Sequence, residues 1–284
     1  MRIIRNIKEM VQAAQKRRLK GDSIGFVPTM GALHAGHLSL IRRCRKENDF
    51  TVVSVFVNPI QFSPREDYRK YPRNLIQDAR ACQKEGVDIL FSPVAKNMYP
   101  KPFRTFVEVE GLSDTLCGHS RAGHFRGVAT VVAKLFQIVQ PDIAYFGQKD
   151  AQQAIIIRKM VEDLSMPVQI KVMPIVREKD GLAMSSRNQY LNASERKDAV
   201  VLRQALNLAK DSVRRQETDA SRIIRSMRAL IQKKKSAKVD YISIVDFQNL
   251  KPLNKIKGKA LVALAVWIGK TRLIDNTIVK LKYA

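Results

Sequence analysis

Apolar runs rich in β-branched residues alternate with helix-patterned stretches through the first 176 residues. Ser23–Thr29 predicts a strand that closes on a glycine-rich turn, and Ala35–Lys46 has the 3.6-residue apolar spacing of an amphipathic helix. Thr51–Asn58 (TVVSVFVN) has no polar alternation, as expected of a strand covered on both faces. Leu75–Lys84 then predicts a helix, Val87–Ser92 a strand, Val128–Val139 a helix, Ile143–Gly147 a strand, Gln152–Leu164 a helix and Val168–Val176 a strand. Such alternation predicts an α/β fold: a Rossmann-like parallel sheet with helices on both faces.

The pattern changes near residue 176. Helical stretches at Ser194–Arg215 and Asp219–Lys235 precede apolar strands at Val239–Val245, Ala260–Ile268 and Arg272–Val279. This order predicts a smaller α+β C-terminal domain over residues 177–284, following a nucleotide-type domain over residues 1–176. Hydrophobic residues at 45% and charged residues at 27% exclude a disordered chain. The N-terminus carries no apolar run of signal-peptide length, and Ala260–Ile268 is too short to span a bilayer. Cys44, Cys82 and Cys117 are odd in number and without a C-x-x-C pair, which points to reduced thiols and a cytoplasmic location. The net charge is +25, of which residues 1–176 carry +11 and residues 177–284 carry +14. That balance favours anionic partners, although solvated lysine and arginine faces produce the same number.

Four clusters carry candidate chemistry. In the first, Met30, Gly31, Ala32, Leu33, His34, Ala35, Gly36 and His37 lie where a strand hands over to a helix. Gly31 and Gly36 allow close backbone approach, the helix N-terminus offers unpaired N–H groups, and His34 and His37 share one face; together these suit a phosphate. A pair of satisfied histidines is the plain alternative. A zinc site would need further ligands, and only His119 and His124 remain. In the second, Gly147, Gln148, Lys149 and Asp150 follow another strand. Lys149 can neutralise phosphate oxygens and Asp150 can accept from ribose hydroxyls or help to order a metal, while a turn with a solvated ion pair reads equally well. In the third, Met184, Ser185, Ser186 and Arg187 offer two hydroxyls and a guanidinium at the domain junction, as a closing lid over a triphosphate would, or as an ordinary serine turn would. In the fourth, Asn58 and Gln61 stand beside apolar Ile60 and Phe62, a mixture suited to a small hydroxy acid, with Gln153 as a further candidate.

A strand, an H-x-G-H at the next helix start and a later M-S-S-R loop make up the plan of adenylating nucleotidyltransferases. The longer strings FVPTMGALHAGHLSLI, VFVNPIQF, EDYRKYPRNL, CGHSRAGHFRGVATVVAKLFQIVQPDIAYFGQKDAQQ, MSSRNQYL and GKTRLIDN resemble the pantothenate synthetase (pantoate–β-alanine ligase) family from end to end. The resemblance implies ATP-dependent condensation of D-pantoate with β-alanine through a pantoyl adenylate, with release of AMP and pyrophosphate. It implies ATP contacts from Met30 to His37, from Gly147 to Asp150, at Val176 and from Met184 to Arg187. Gln61 would meet pantoate and β-alanine, and Gln153 pantoate. It also implies a homodimer joined through the N-terminal domain; Mg2+ is expected with the triphosphate rather than in an all-protein cage. The family treats His37 as a proton donor, but carboxylate attack on phosphorus requires no proton, so charge stabilisation by His34 and His37 with Lys149, Ser185, Ser186 and Arg187 is the expected role. Ala122 and Gln148 depart from the family's usual proline and glutamate without removing a group that has a chemical task. A nucleic-acid partner, suggested by the basic C-terminal half, is disfavoured by an aromatic content of 7% and the lack of a stacking platform.

Overall fold

A computed structural model of the chain describes residues 1–63 and 67–281. Glu66 of the EDYRKYPRNL string therefore lies outside the described residues. The first elements are β1 (Arg2–Ile4), α1 (Ile7–Arg18), β2 (Ile24–Thr29), α2 (Ala35–Glu47), β3 (Phe50–Val55), α3 (Leu75–Lys84) and β4 (Ile89–Phe91). Two single-turn helices follow, α4 (Ala95–Met98) and α5 (Cys117–Ser120), then α6 (His124–Val139), β5 (Ile143–Gly147), α7 (Ala151–Asp163) and β6 (Gln169–Met173). The remainder is α8 (Ala193–Ala199), α9 (Val201–Arg214), α10 (Ala220–Gln232), β7 (Ala237–Asp246), β8 (Lys259–Ile268) and β9 (Thr271–Lys280). The chain forms two compact units: residues 1–113, 121–148 and 153–174 make one, and residues 114–120, 149–152 and 175–284 make the other.

In the first unit six strands form a parallel sheet in the order β1-β4-β3-β2-β5-β6. The β-branched run of β3 is buried between neighbours on both sides, as expected of a central parallel strand. Phe26, Val27, Val52, Val53, Leu90 and Tyr145 are fully buried. The Tyr145 hydroxyl donates to Glu47 at 2.7 Å and accepts from Asn48 at 2.8 Å, so the one polar atom on this buried ring is satisfied and ties α2 to β5. In the second unit β7, β8 and β9 form an antiparallel sheet. Leu202, Leu206, Ile223 and Met227 of α9 and α10 share its core with Val262, Leu264 and Val266 of β8. The expected α/β sheet with an α+β C-terminal domain is therefore observed. No described helix is long and apolar enough to cross a membrane.

Local differences from the sequence reading have physical causes. β1 and α1 give little apolar signal, since only Met10 and Ala14 of α1 are buried. The expected strand over Thr51–Asn58 leaves the sheet after Val55, and Asn58 opens a 3-10 turn over Pro59–Gln61 instead. The expected helix over Ser194–Arg215 is two helices meeting at Val200.

Candidate active site

The first unit's sheet reverses its strand order between β2 and β5: β3 and β4 extend to one side, β6 to the other. The carboxyl ends of adjacent strands at such a reversal open a crevice, and the segments leaving β2 and β5 there are Met30–His37 and Gly147–Gln148.

The turn after β2 is strained and strapped. Gly31 has φ +84°, and Ala32 also adopts a left-handed φ of +51°. A Cβ at Gly31 would lie 2.8 Å from Asp78 Oδ2, so glycine is required by space as well as by φ. Asp78, buried on α3, accepts from the backbone N–H of Ala32 at 3.1 Å and of Leu33 at 2.8 Å. Burial raises the Asp78 carboxyl above its ordinary range against the opposing pull of these two bonds. Asn74 caps α3 by accepting from Gln77 N–H, which anchors the helix that carries Asp78.

At the start of α2 two histidines form the capping box usually built from serine and glutamate. His34 Nδ1 accepts from Gly36 N–H at 3.2 Å, and His37 Nδ1 accepts from His34 N–H at 3.3 Å. A backbone N–H can only donate, so each neutral ring must carry its proton on Nε2. The rings lie with centroids 4.1 Å apart and planes tilted by 33°, and their Nε2–H donors belong to the same helix end that offers backbone N–H groups and a positive dipole.

Further along the same unit, Gln61 Nε2 donates to Met30 Sδ at 3.2 Å, which brings the fourth cluster to the first. Asn58 is buried and donates to Gln61 Oε1 at 3.0 Å and to Gly127 O at 3.1 Å. Tyr99 OH donates to Asn58 Oδ1 at 2.7 Å. Gln153 lies half-buried near the start of α7.

The remaining predicted residues belong to the second unit. Lys149 faces Asp150 at 3.4 Å, and its carbonyl accepts from Asn276 Nδ2 at 2.9 Å. Met184 N–H donates to Val176 O at 3.0 Å, closing a short loop between them. Ser185 Oγ accepts from Arg187 N–H at 3.3 Å and begins the 3-10 turn over Ser186–Tyr190. Arg177 anchors that loop, donating to both oxygens of buried Asp275 on β9 at 2.7 and 2.9 Å and to Gly181 O at 3.0 Å. Among the described residues no group of three or more His, Cys, Asp or Glu side chains is arranged to hold a metal ion.

The model of the pantoate-beta-alanine ligase family matches residues 2–278, nearly the whole chain. The chain belongs to this family. Pantothenate synthetase from Caldicellulosiruptor saccharolyticus is 54% identical over 280 residues, covering 99% of this chain and all of that protein. The enzyme of the same name from Thermotoga neapolitana is 55% identical over 278 residues, 98% of this chain and 99% of its own length. The crystal structure of pantothenate synthetase from Thermus thermophilus superposes with a TM-score of 0.92 at 45% identity, covering 98% and 99% of the two chains. The pantoate-beta-alanine ligase of Francisella tularensis, complexed with beta-gamma ATP and beta-alanine, superposes with a TM-score of 0.81 at 37% identity, covering 98% of this chain and 97% of that one.

Around these segments, several supporting residues escape a reading by motif chemistry. Asp78 sits in an ordinary helical pattern, and Tyr99 follows a short helix with no feature of its own. Asp275 and Asn276 interrupt the apolar pattern of β9 and leave opposite faces of the strand, yet each is less than 5% exposed, and buried polar groups demand partners. They find them in Arg177 and the Lys149 carbonyl.

Proposed function

We propose that this chain joins D-pantoate to β-alanine using ATP, through a pantoyl adenylate. The observation that carries the reading is the histidine-capped N-terminus of α2 at the strand-order reversal, where Nε2–H donors and helix N–H groups can meet a phosphate. A relative of the same fold complexed with an ATP species and beta-alanine supports it.

In the first step a pantoate carboxylate oxygen bonds to the α-phosphorus, the bond from that phosphorus to the bridging oxygen breaks, and pyrophosphate leaves with the Mg2+ it carried as part of the substrate. His34 and His37 stabilise the charge that builds on the α-phosphoryl oxygens; no proton transfer is required of them. Lys149, Ser185, Ser186 and Arg187 hold the phosphates of ATP, along with the backbone of Met30–His37 and Gly147–Asp150 and with Val176 and Met184. Gln61 and Gln153 contact pantoate, Gln61 also β-alanine, and Asn58 supports that pocket from behind Gln61. In the second step the free amine of β-alanine bonds to the acyl carbon, AMP leaves with the electron pair of the broken C–O bond, and the nitrogen gives up one proton to solvent. Exclusion of water protects the mixed anhydride, a role for residues 177–284 as a lid domain, residues 1–176 being the ATP- and pantoate-binding domain. A cytoplasmic homodimer, with no nucleic-acid or membrane partner, completes the reading.

The test is release of AMP and pyrophosphate from Mg·ATP with D-pantoate, with and without β-alanine, for the wild type and for His34→Ala and His37→Ala. Multiple-turnover AMP release requiring both substrates, and falling at least 100-fold in either variant, is expected. Full activity in both variants would remove the histidines from the phosphate site, and no turnover in folded wild type would overturn the substrate assignment.

A further inference from the structure

The hydrogen bonds around Gln61 determine which end of its amide a ligand meets. They begin at Gly127 O on α6, a backbone carbonyl that can only accept and cannot rotate about a side-chain bond. Asn58 must therefore turn Nδ2 toward it, at 3.1 Å. With Nδ2 so directed, Asn58 Oδ1 is the atom that accepts from Tyr99 OH at 2.7 Å, and the second N–H of Nδ2 donates to Gln61 Oε1 at 3.0 Å. The carbonyl end of Gln61 is thereby engaged, and Nε2 points the other way, onto Met30 Sδ at 3.2 Å. A thioether is a weak acceptor, so a ligand oxygen that takes its place strengthens the bond.

The backbone of Gln61 is held by the same logic. Its carbonyl bonds to His124 Nδ1 at 2.8 Å, while Arg121 Nη1 lies 2.9 Å from His124 Nε2. A carbonyl only accepts and a guanidinium only donates, so His124 is the neutral tautomer with its proton on Nδ1. Asn58 is 1% exposed, and burial raises the Tyr99 phenol above its ordinary value, which keeps it an O–H donor at working pH.

We propose that Tyr99, Asn58 and the Gly127 carbonyl form a positioning relay that fixes Gln61 with its N–H donor end toward an oxygen of the hydroxy-acid substrate. Tyr99 and Asn58 act through Gln61 rather than on the ligand. The inference rests on the reading of Gln61 as a substrate contact. The relay selects a ligand that presents an acceptor at this point and rejects one that presents a donor, such as an ammonium group.

A double-mutant cycle on the full-length enzyme tests it, using kcat/KM for D-pantoate at saturating ATP and β-alanine with Tyr99→Phe, Gln61→Ala and the double variant. Tyr99→Phe is expected to reduce kcat/KM about tenfold, chiefly through KM for pantoate, with KM for ATP unchanged. In the Gln61→Ala background the same change is expected to cost less than about twofold. An equal factor in both backgrounds would overturn the relay alone, because a merely structural role for Tyr99 costs the same with or without Gln61. Wild-type kcat/KM in Gln61→Ala would overturn the relay together with the substrate assignment of Gln61.

Discussion

Gly127 stands on α6 where the helix meets the 3-10 turn that carries Gln61, and replacing it with alanine sets two effects against each other. Alanine in a helix interior is favoured over glycine by about 0.5–1 kcal/mol. Its Cβ, however, would lie 2.4 Å from Ile60 O and 2.7 Å from Gln61 Cα, against ordinary contact at 3.4 Å and beyond. Helix and turn must part by about 1 Å, and the atoms in the way are main chain, so no side-chain rotation relieves the clash. Overpacking of this kind costs about 1–3 kcal/mol, which exceeds the helix gain. The net loss is of order 1 kcal/mol, which lowers Tm by about 2–4 °C in a chain of this size. Activity should suffer more than stability, because the same shift moves Gln61 and stretches the bond from Asn58 to Gly127 O; a misplacement of about 1 Å can cost roughly 100-fold in rate. The assay pairs calorimetric Tm with kcat/KM for D-pantoate. Gly258→Ala is the control, since a Cβ there meets nothing within 4 Å, and it should leave both readouts unchanged. A Gly127→Ala enzyme as active as wild type, with equal or higher Tm, would refute the reasoning.

Two further outcomes follow from buried or bridging carboxylates. Asp78→Ala leaves the Ala32 and Leu33 N–H groups without their acceptor, at about 1–3 kcal/mol each, and should loosen the turn before α2; chemical denaturation should register the loss and the adenylation rate should fall, whereas wild-type values in both would show that the strap is dispensable. Glu47 accepts from Tyr145 and Lys171 and pairs with Arg43, and these contacts, led by the Tyr145 bond, pull its pKa down to about 2. A depressed carboxylate contributes stability above its unfolded value of 4.5 and loses it as pH falls toward 2, so denaturation midpoints of Glu47→Gln should decline less steeply than wild type across that window; parallel slopes would exclude the contribution.

Much of the fold was legible because its signals are local. The β-branched run at Thr51–Val55, the amphipathic spacing of Ala35–Lys46 and the glycine and histidines between Met30 and His37 each report on neighbours within a few residues. Strand–helix alternation and the handedness of crossovers then leave few sheet arrangements open. The candidate phosphate site was legible for the same reason, since a strand end, a turn and a helix start are contiguous in the chain.

What tertiary structure alone decided is the partner of each buried polar group. Asn58 reads as the end of a strand, and only the approach of α6, 69 residues away, gives its amide a direction and Gln61 a polarity. Arg177 and Asp275 are 98 residues apart, and Asp78 reaches a turn 45 and 46 residues earlier. Such bonds obey no sequence period, because they depend on which elements pack together rather than on the residues adjacent in the chain. The sequence by itself determined the α/β plan and the groups suited to a phosphate and a small acid. The packed structure determined which nitrogen of His34, His37 and His124 carries its proton, and which end of Gln61 a ligand meets, because a donor can be assigned only once its acceptor is in place.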